Sequence, residues 1–177
     1  GGVGYDAFLV KFNSAGVRQW ATYYGGVGGD YGVGVSTDAA GNVYLSGQTD
    51  SPSGIASGGF DNTYGGAGGF FKGDAFLVKF NSAGARQWAT YYGGVEDDYS
   101  FGVSTDPASG DVYLSGTTDS PSGIASGGFD NTLGGGATVT DAFLVKFSSA
   151  GVRQWATYYG GTGYDDAYSI SASSGDV

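Results

Sequence analysis

Neither cysteine nor histidine occurs in this chain. Without cysteine there is no disulfide framework, no thiol nucleophile and no thiolate metal site. Without histidine the commonest general base and the commonest transition-metal ligand are missing. Only 3 prolines are present, so the 37 glycines serve turns and close backbone approaches, not a collagen-like or polyproline design. Methionine is absent, position 1 included, so the 177 residues are expected to be a processed or excised part of a longer product. Basic residues number 7 against 17 acidic ones, a net charge of −10. That field repels phosphate backbones and anionic lipid, so nucleic acid is not an expected partner. No apolar run approaches membrane-spanning length, and direct membrane insertion is not expected either. Aliphatic residues are sparse. Against disorder stand 14 Tyr, 11 Phe and 3 Trp, since each well-buried aromatic contributes roughly 1.5–3 kcal/mol.

What the chain does contain, it contains repeatedly. Asp6-Ala7-Phe8-Leu9-Val10-Lys11-Phe12 recurs unchanged at Asp74–Phe80 and Asp141–Phe147, 68 and then 67 residues on. Each copy continues into Arg-Gln-Trp-Ala-Thr-Tyr-Tyr-Gly-Gly, beginning at Arg18, Arg86 and Arg153. A fixed period of this size marks one supersecondary unit that is stable when stacked on its neighbours.

The periodicity within a unit is two, with no helical stripe. Phe8, Val10 and Phe12 alternate with Ala7, Leu9 and Lys11, giving a strand with two apolar faces. Asn13-Ser14-Ala15-Gly16 reads as a turn, Arg18–Tyr24 as a second strand ended by Gly25-Gly26, and Tyr31–Thr37 as a third. Asp38–Asn42 turns into a fourth strand, Val43–Gly47, and the four in succession read as an antiparallel meander. In the third strand Gly32, Gly34 and Ser36 alternate with Val33 and Val35. Gly102 and Ser104, then Ser169 and Ser171, stand at the corresponding places. Small side chains on one face predict an inner strand that another surface approaches closely. The remainder of each unit, Asp50–Gly73 and Asp119–Thr140, lacks alternation and reads as a long surface loop. Its first part is identical at Thr49–Thr63 and Thr118–Thr132, which recent duplication explains.

These segments resemble the SBBP-type β-propeller repeats of bacterial extracellular proteins. The features that carry the resemblance are Asp-Ala-Phe-Leu-Val-Lys-Phe, Trp-Ala-Thr-Tyr-Tyr-Gly-Gly, the acidic turn Gly28-Gly29-Asp30-Tyr31, and Asp38-Ala39-Ala40-Gly41-Asn42-Val43-Tyr44-Leu45-Ser46-Gly47. The resemblance implies an all-β fold of tandem four-stranded antiparallel blades, a secreted or cell-surface setting and no enzymatic activity. By analogy with other propellers, Tyr31–Thr37 becomes the inner strand of a blade, followed outward by Val43–Gly47, Asp74–Phe80 and Arg86–Tyr92. The chain then divides into a partial blade (1–26), two blades (27–94 and 95–161) and the start of another (162–177), with an inner strand expected at Ala167–Ala172. Closed propellers need roughly four to eight blades. Flanking repeats, or other copies pairing with the incomplete ends, are therefore the expected partners. An open stack of blades, extending into a filament, stands beside the partial ring. A parallel β-solenoid is the competing fold.

Several residues are candidates for chemistry. Trp20, Trp88 and Trp155 with Tyr23, Tyr91 and Tyr158 could form sugar-stacking platforms, or pack between blades. Arg18, Arg86 and Arg153, two positions before each Trp, read as structural stacking or pairing groups. Asp30, Asp97, Asp98, Asp165 and Asp166 could offer oxygens to Ca²⁺, yet none sits in an Asp-x-Asp-x-Asp-Gly loop, and turn capping is the competing reading. Otherwise no cofactor is expected. Glu96 beside Asp97 and Asp98 could suggest a glycosidase acid pair, but the first unit has Val27-Gly28-Gly29-Asp30 there, so the arrangement does not repeat. The expectation is a non-enzymatic structural or adhesive module of a large extracellular or cell-surface protein. The alternative is a lectin-like module that binds surface glycans.

Overall fold

The computed structural model describes residues 4–66, 73–136 and 139–177. Ten strands make up its regular structure, and no helix occurs among the described residues. They are β1 (Ala7–Phe12), β2 (Arg18–Tyr24), β3 (Asp30–Thr37), β4 (Val43–Thr49), β5 (Asp74–Phe80), β6 (Arg86–Tyr92), β7 (Asp98–Thr105), β8 (Val112–Thr118), β9 (Asp141–Phe147) and β10 (Arg153–Tyr159). All named pairings are antiparallel. They form a two-stranded sheet β1-β2 and two four-stranded sheets, β3-β4-β5-β6 and β7-β8-β9-β10. The antiparallel ladders remove the solenoid reading. The simple succession of strands one to four is also corrected, because β2 and β3 belong to different sheets. The chain changes sheet at Gly25-Gly26, and β4 pairs forward with β5 across the long loop, Thr49 opposite Asp74.

Local chemistry sets the hairpins. Asn13 Oδ1 accepts from Ala15 N and Val17 N at 3.0 and 2.9 Å, and Asn81 does the same for Ala83 and Ala85. Gly16, Gly84 and Gly151 take φ of 75°, 84° and 82°, which a side chain would resist. Near the C-terminal end a two-residue turn, Ser174 and Gly175 with φ of 52° and 96°, brings Ser173 and Asp176 into an antiparallel bridge. Residues 167–172 form no strand, contrary to expectation, because no described segment ladders with them. They still lie beside β7: Ala172 N donates to Ser104 Oγ at 3.0 Å, as Thr105 N donates to Ser36 Oγ at 3.1 Å.

The small residues of β3 behave differently from a single smooth face. A bulge at Val33 shifts the register between Gly32 and Gly34, and β7 repeats it between Ser100 and Gly102. After the bulge the two glycines look opposite ways. A Cβ on Gly32 would meet Ala7 Cβ of β1 at 3.2 Å, and one on Gly34 would meet Val103 Cγ1 of β7 at 3.0 Å. Glycine therefore lets β3 be approached from both sides.

The apolar core lies between sheets, not within one. One cluster joins Ala7, Leu9 and Tyr24 of the first sheet to Leu45, Phe76 and Phe80 of the second. The other joins Tyr44, Leu77 and Tyr92 of the second to Leu114, Phe143 and Phe147 of the third.

The loop read from sequence as surface has a structural task. Ile55 and Ile124 are fully buried, anchoring it against the core. Beyond each anchor, Ser57 and Ala89 exchange both backbone hydrogen bonds (2.9 and 3.0 Å), as do Ser126 and Ala156 (2.9 Å each), covering the outer edges of β6 and β10. Capping an edge this way blocks pairing with foreign strands. The variable loop tails at 67–72 and 137–138 lie outside the described residues. Ile124→Ala is expected to cost about 2–5 kcal/mol in urea denaturation, the usual range for a buried Ile truncated in a core. It should also expose the Ala156 amide to hydrogen exchange before the rest of its sheet.

Candidate functional site

The acidic residues singled out from sequence divide into two kinds. Asp30 opens β3 and is 1% exposed; Asp98 opens β7 and is fully buried. Asp98 Oδ1 accepts from the Thr118 hydroxyl, and its Oδ2 accepts from Gly94 N at 2.7 Å and Ser120 Oγ at 2.9 Å. Asp30 repeats the pattern with Thr49, Gly26 N at 2.7 Å and Ser51 Oγ at 2.9 Å. Each serine in turn donates its backbone N–H to the threonine hydroxyl at 3.0 Å. This is a latch: three donors from the preceding turn and the following strand end converge on one carboxylate. Thr49, Ser51, Thr118 and Ser120 were not singled out from sequence. Their signal was the Thr-Asp-Ser-Pro-Ser that follows β4 and β8, which reads as ordinary loop composition until the partner aspartate is known.

Asp97 and Asp166 face elsewhere. Asp97 Oδ1 accepts from Gly73 N at 3.3 Å, and Asp166 Oδ2 accepts from the Tyr168 hydroxyl at 3.2 Å. Asp165 keeps only the turn half of the latch, accepting from Gly161 N at 2.7 Å. Among the described residues no three acidic groups gather as a metal-holding cluster. The oxygens of Asp30 and Asp98 are occupied by N–H and O–H donors, which a cation would have to displace. The Glu96, Asp97 and Asp98 run does not present facing carboxyls, since Asp98 points into the protein.

A second set of aspartates, the first residues of the repeated Asp-Ala-Phe, lies beside the latches. Asp74 and Asp141 are each 1% exposed. Their Oδ2 atoms accept from Gly65 N at 2.8 Å and Gly134 N at 2.7 Å, while Oδ1 of Asp6, Asp74 and Asp141 is buried without a hydrogen-bond partner. The latch and the second aspartate flank one glycine. A Cβ on Gly93 would stand 2.7 Å from Asp98 Oδ2 and 2.8 Å from Asp74 Oδ1; on Gly160 it would stand 2.9 Å from Asp165 Oδ2 and 2.7 Å from Asp141 Oδ1. The first glycine after each Tyr-Tyr is thus required by two carboxylates.

The aromatic candidates are mostly interior. Trp88 is 6% exposed, and Tyr91 and Tyr158 are each 1% exposed. The two tyrosine hydroxyls donate to Ser51 O and Ser120 O at 2.7 and 2.8 Å. Trp20 and Trp155 are half-buried, and Tyr23 alone stands out in solvent. A continuous sugar-stacking row is therefore not present, because stacking of successive units covers the rings that would form it. The arginines serve structure: Arg86 Nη1 reaches Ile55 O at 3.4 Å, and Arg153 donates to Ile124 O at 3.1 Å with its guanidinium 4.3 Å from the Phe60 ring centroid. What the arrangement offers chemically is cohesion.

The paired carboxyls also set a pH dependence. Burial pushes Asp98 up to about 7, against the donors that favour its charge. Burial likewise pushes Asp74 up to about 6, opposed by the Gly65 N–H and reinforced by Asp61. Both sit above the ordinary value of 3.8. Their contribution is complete below that value and is lost as pH rises through 6 and then 7. Asp106 and Asp130, held low by backbone N–H groups of Ala108 and Thr132, lose their contribution only in stronger acid. Melting temperature is thus expected to fall between pH 4.5 and 7.5, on the order of a few kcal/mol of stability in all. Asp74→Asn, measured by circular dichroism melts across that range, should flatten the fall; an unchanged slope would show that these carboxyls titrate normally.

With the geometry established, the comparison with known families is specific. The family model described as SBBP, beta-propeller repeat, matches residues 19–54 and 87–122. Each match starts in an outer strand (β2 or β6), crosses the inner strand and its latch, and ends just past the latch serine. No curated protein matches the chain. Segments 19–54 and 87–122 are SBBP beta-propeller repeats, and the antiparallel four-stranded sheets built on them are propeller-type blades.

Proposed function

We propose that this chain is a non-enzymatic structural and adhesive module of a large secreted or cell-surface bacterial protein, assembling by blade stacking and strand completion. The observation that carries this reading is the engagement of its repeated polar and aromatic side chains. Aspartates latch strand starts, arginines and tyrosines bind loop carbonyls, and tryptophans bind the next hairpin. The acidic surface and the repeat family support an extracellular setting, and the stacked geometry supports extension toward a filament. A cation such as Ca²⁺ belongs to this reading only as an ion condensed on the acidic surface.

One groove favours the lectin-like alternative. Phe129, Leu144, Trp155 and Thr157 line a depression with Gly127 and Gly128, and Phe129 is 88% exposed. A sugar ring could stack there. A glycan array, together with a panel of polysaccharide substrates, distinguishes the readings. The structural reading expects no reproducible array signal and no turnover. Binding that disappears in a folded Phe129→Ala variant would establish the alternative.

A further inference from the structure

One unit meets the next in the same way twice. Trp20 Nε1 and Lys11 Nζ donate to Ser82 O at 3.1 and 3.2 Å, and Trp88 Nε1 and Lys79 Nζ donate to Ser149 O at 3.2 and 2.8 Å. Each indole lies on a hairpin glycine: a Cβ on Gly84 would come within 2.9 Å of Trp20, and one on Gly151 within 2.8 Å of Trp88. Tyr24 packs between Phe76 and Phe80, with centroids 5.3 and 5.9 Å away; Tyr92 packs between Phe143 and Phe147 at 5.3 and 5.7 Å. The contact is a plug of Trp, Lys and Tyr set into a socket of hairpin and two phenylalanines.

A third plug and a third socket stand open at opposite ends of the row. The plug is on β9–β10, where Tyr159 is 71% exposed and Trp155 half-buried. Lys146 pairs at the surface with Asp111, at 2.8 Å. The socket is on β1–β2, where Phe8 and Phe12 are 70% and 55% exposed. A Cβ on Gly16 would meet nothing within 4 Å, whereas Gly84 and Gly151 are covered by indoles. The open hairpin has the sequence Asn13-Ser14-Ala15-Gly16, the same as the occupied hairpin Asn81-Ser82-Ala83-Gly84.

We propose that the β9–β10 face of one copy docks head to tail on the β1–β2 face of a second copy of this chain. Tyr159 enters between Phe8 and Phe12, and Trp155 covers Gly16 with its N–H directed to the Ser14 carbonyl. The occupant is argued from continuity, since the same residues already make this contact between adjacent sheets of one molecule. Because plug and socket are different surfaces, the association is heterologous and propagates into a ring or a filament. The proposal rests on the blade-stacking reading of the protein's function.

Light scattering over a range of concentrations tests it on the 177-residue chain. The wild-type mass should rise with concentration. Tyr159→Glu and Phe8→Glu, both at exposed positions, should each be monomeric with an unchanged melting curve. An equimolar mixture of the two retains one working plug and one working socket, and should give a dimer. If Tyr159→Glu proves unfolded, Phe129→Ala on the same face replaces it, with a several-fold weakening expected. A wild-type chain that stays monomeric at the highest concentration would overturn the proposal, as would association that survives in both single variants. Glycan binding or catalysis would instead overturn the structural reading of function, so the two failures are separable.

Discussion

A blade of this protein cannot bury its own apolar face. The strands carry few aliphatic side chains and much glycine, and each sheet presents Phe, Tyr and Trp to a neighbour instead of enclosing them. Tyr44, Leu77 and Tyr92 of one sheet share a core with Leu114, Phe143 and Phe147 of the next. The hydrophobic driving force is thus collected between units, which makes stacking a condition of folding. Other features of the chain serve that packing. The glycines of β3 let strands close in from both sides, and the hairpin glycines receive the indoles.

Holding the sheets in that relation falls to polar groups. The Asp98 latch ties the Gly-Gly turn, the start of the inner strand and the end of the second strand to a single carboxylate. A buried carboxylate with three donors is tolerable because each hydrogen bond offsets part of its desolvation. Asp74 beside it has one oxygen without a donor, and its neighbour across Gly93 is another carboxylate. Two such groups resist simultaneous ionisation. The structural core of each blade therefore contains titrating groups although no catalytic apparatus surrounds them.

The long loops show how a repeat manages its outer edge. Residues of the Ser-Gly-rich stretch add a short backbone pairing to β6 and β10, and Thr90 and Thr157 bond Asp61 and Asp130 in the same way. Identical sequence in these loops follows from identical duty: each must bury an isoleucine, turn through glycines at φ of 92° and 69°, and run beside an outer strand.

The chain's repeat, its period-two alternation and its turn residues determined without coordinates that the fold is all-β, antiparallel and built from tandem units. Strand positions followed because side chains alternate locally, and hairpins followed because Asn13, Asp38 and the glycines act within a few residues. The absence of histidine and cysteine likewise narrowed the chemistry from composition alone. Only the tertiary structure decided which strands share a sheet, because β4 meets β5 across a loop whose length carries no pairing signal. It alone showed that Gly32 and Gly34 face opposite sides, since one bulge reverses the alternation. It alone joined Asp98 to Thr118 and Ser120 and set Asp74 across Gly93 from Asp98. Those groups are about 20 or more residues apart in sequence, and nothing local records a contact made when separate strand ends converge.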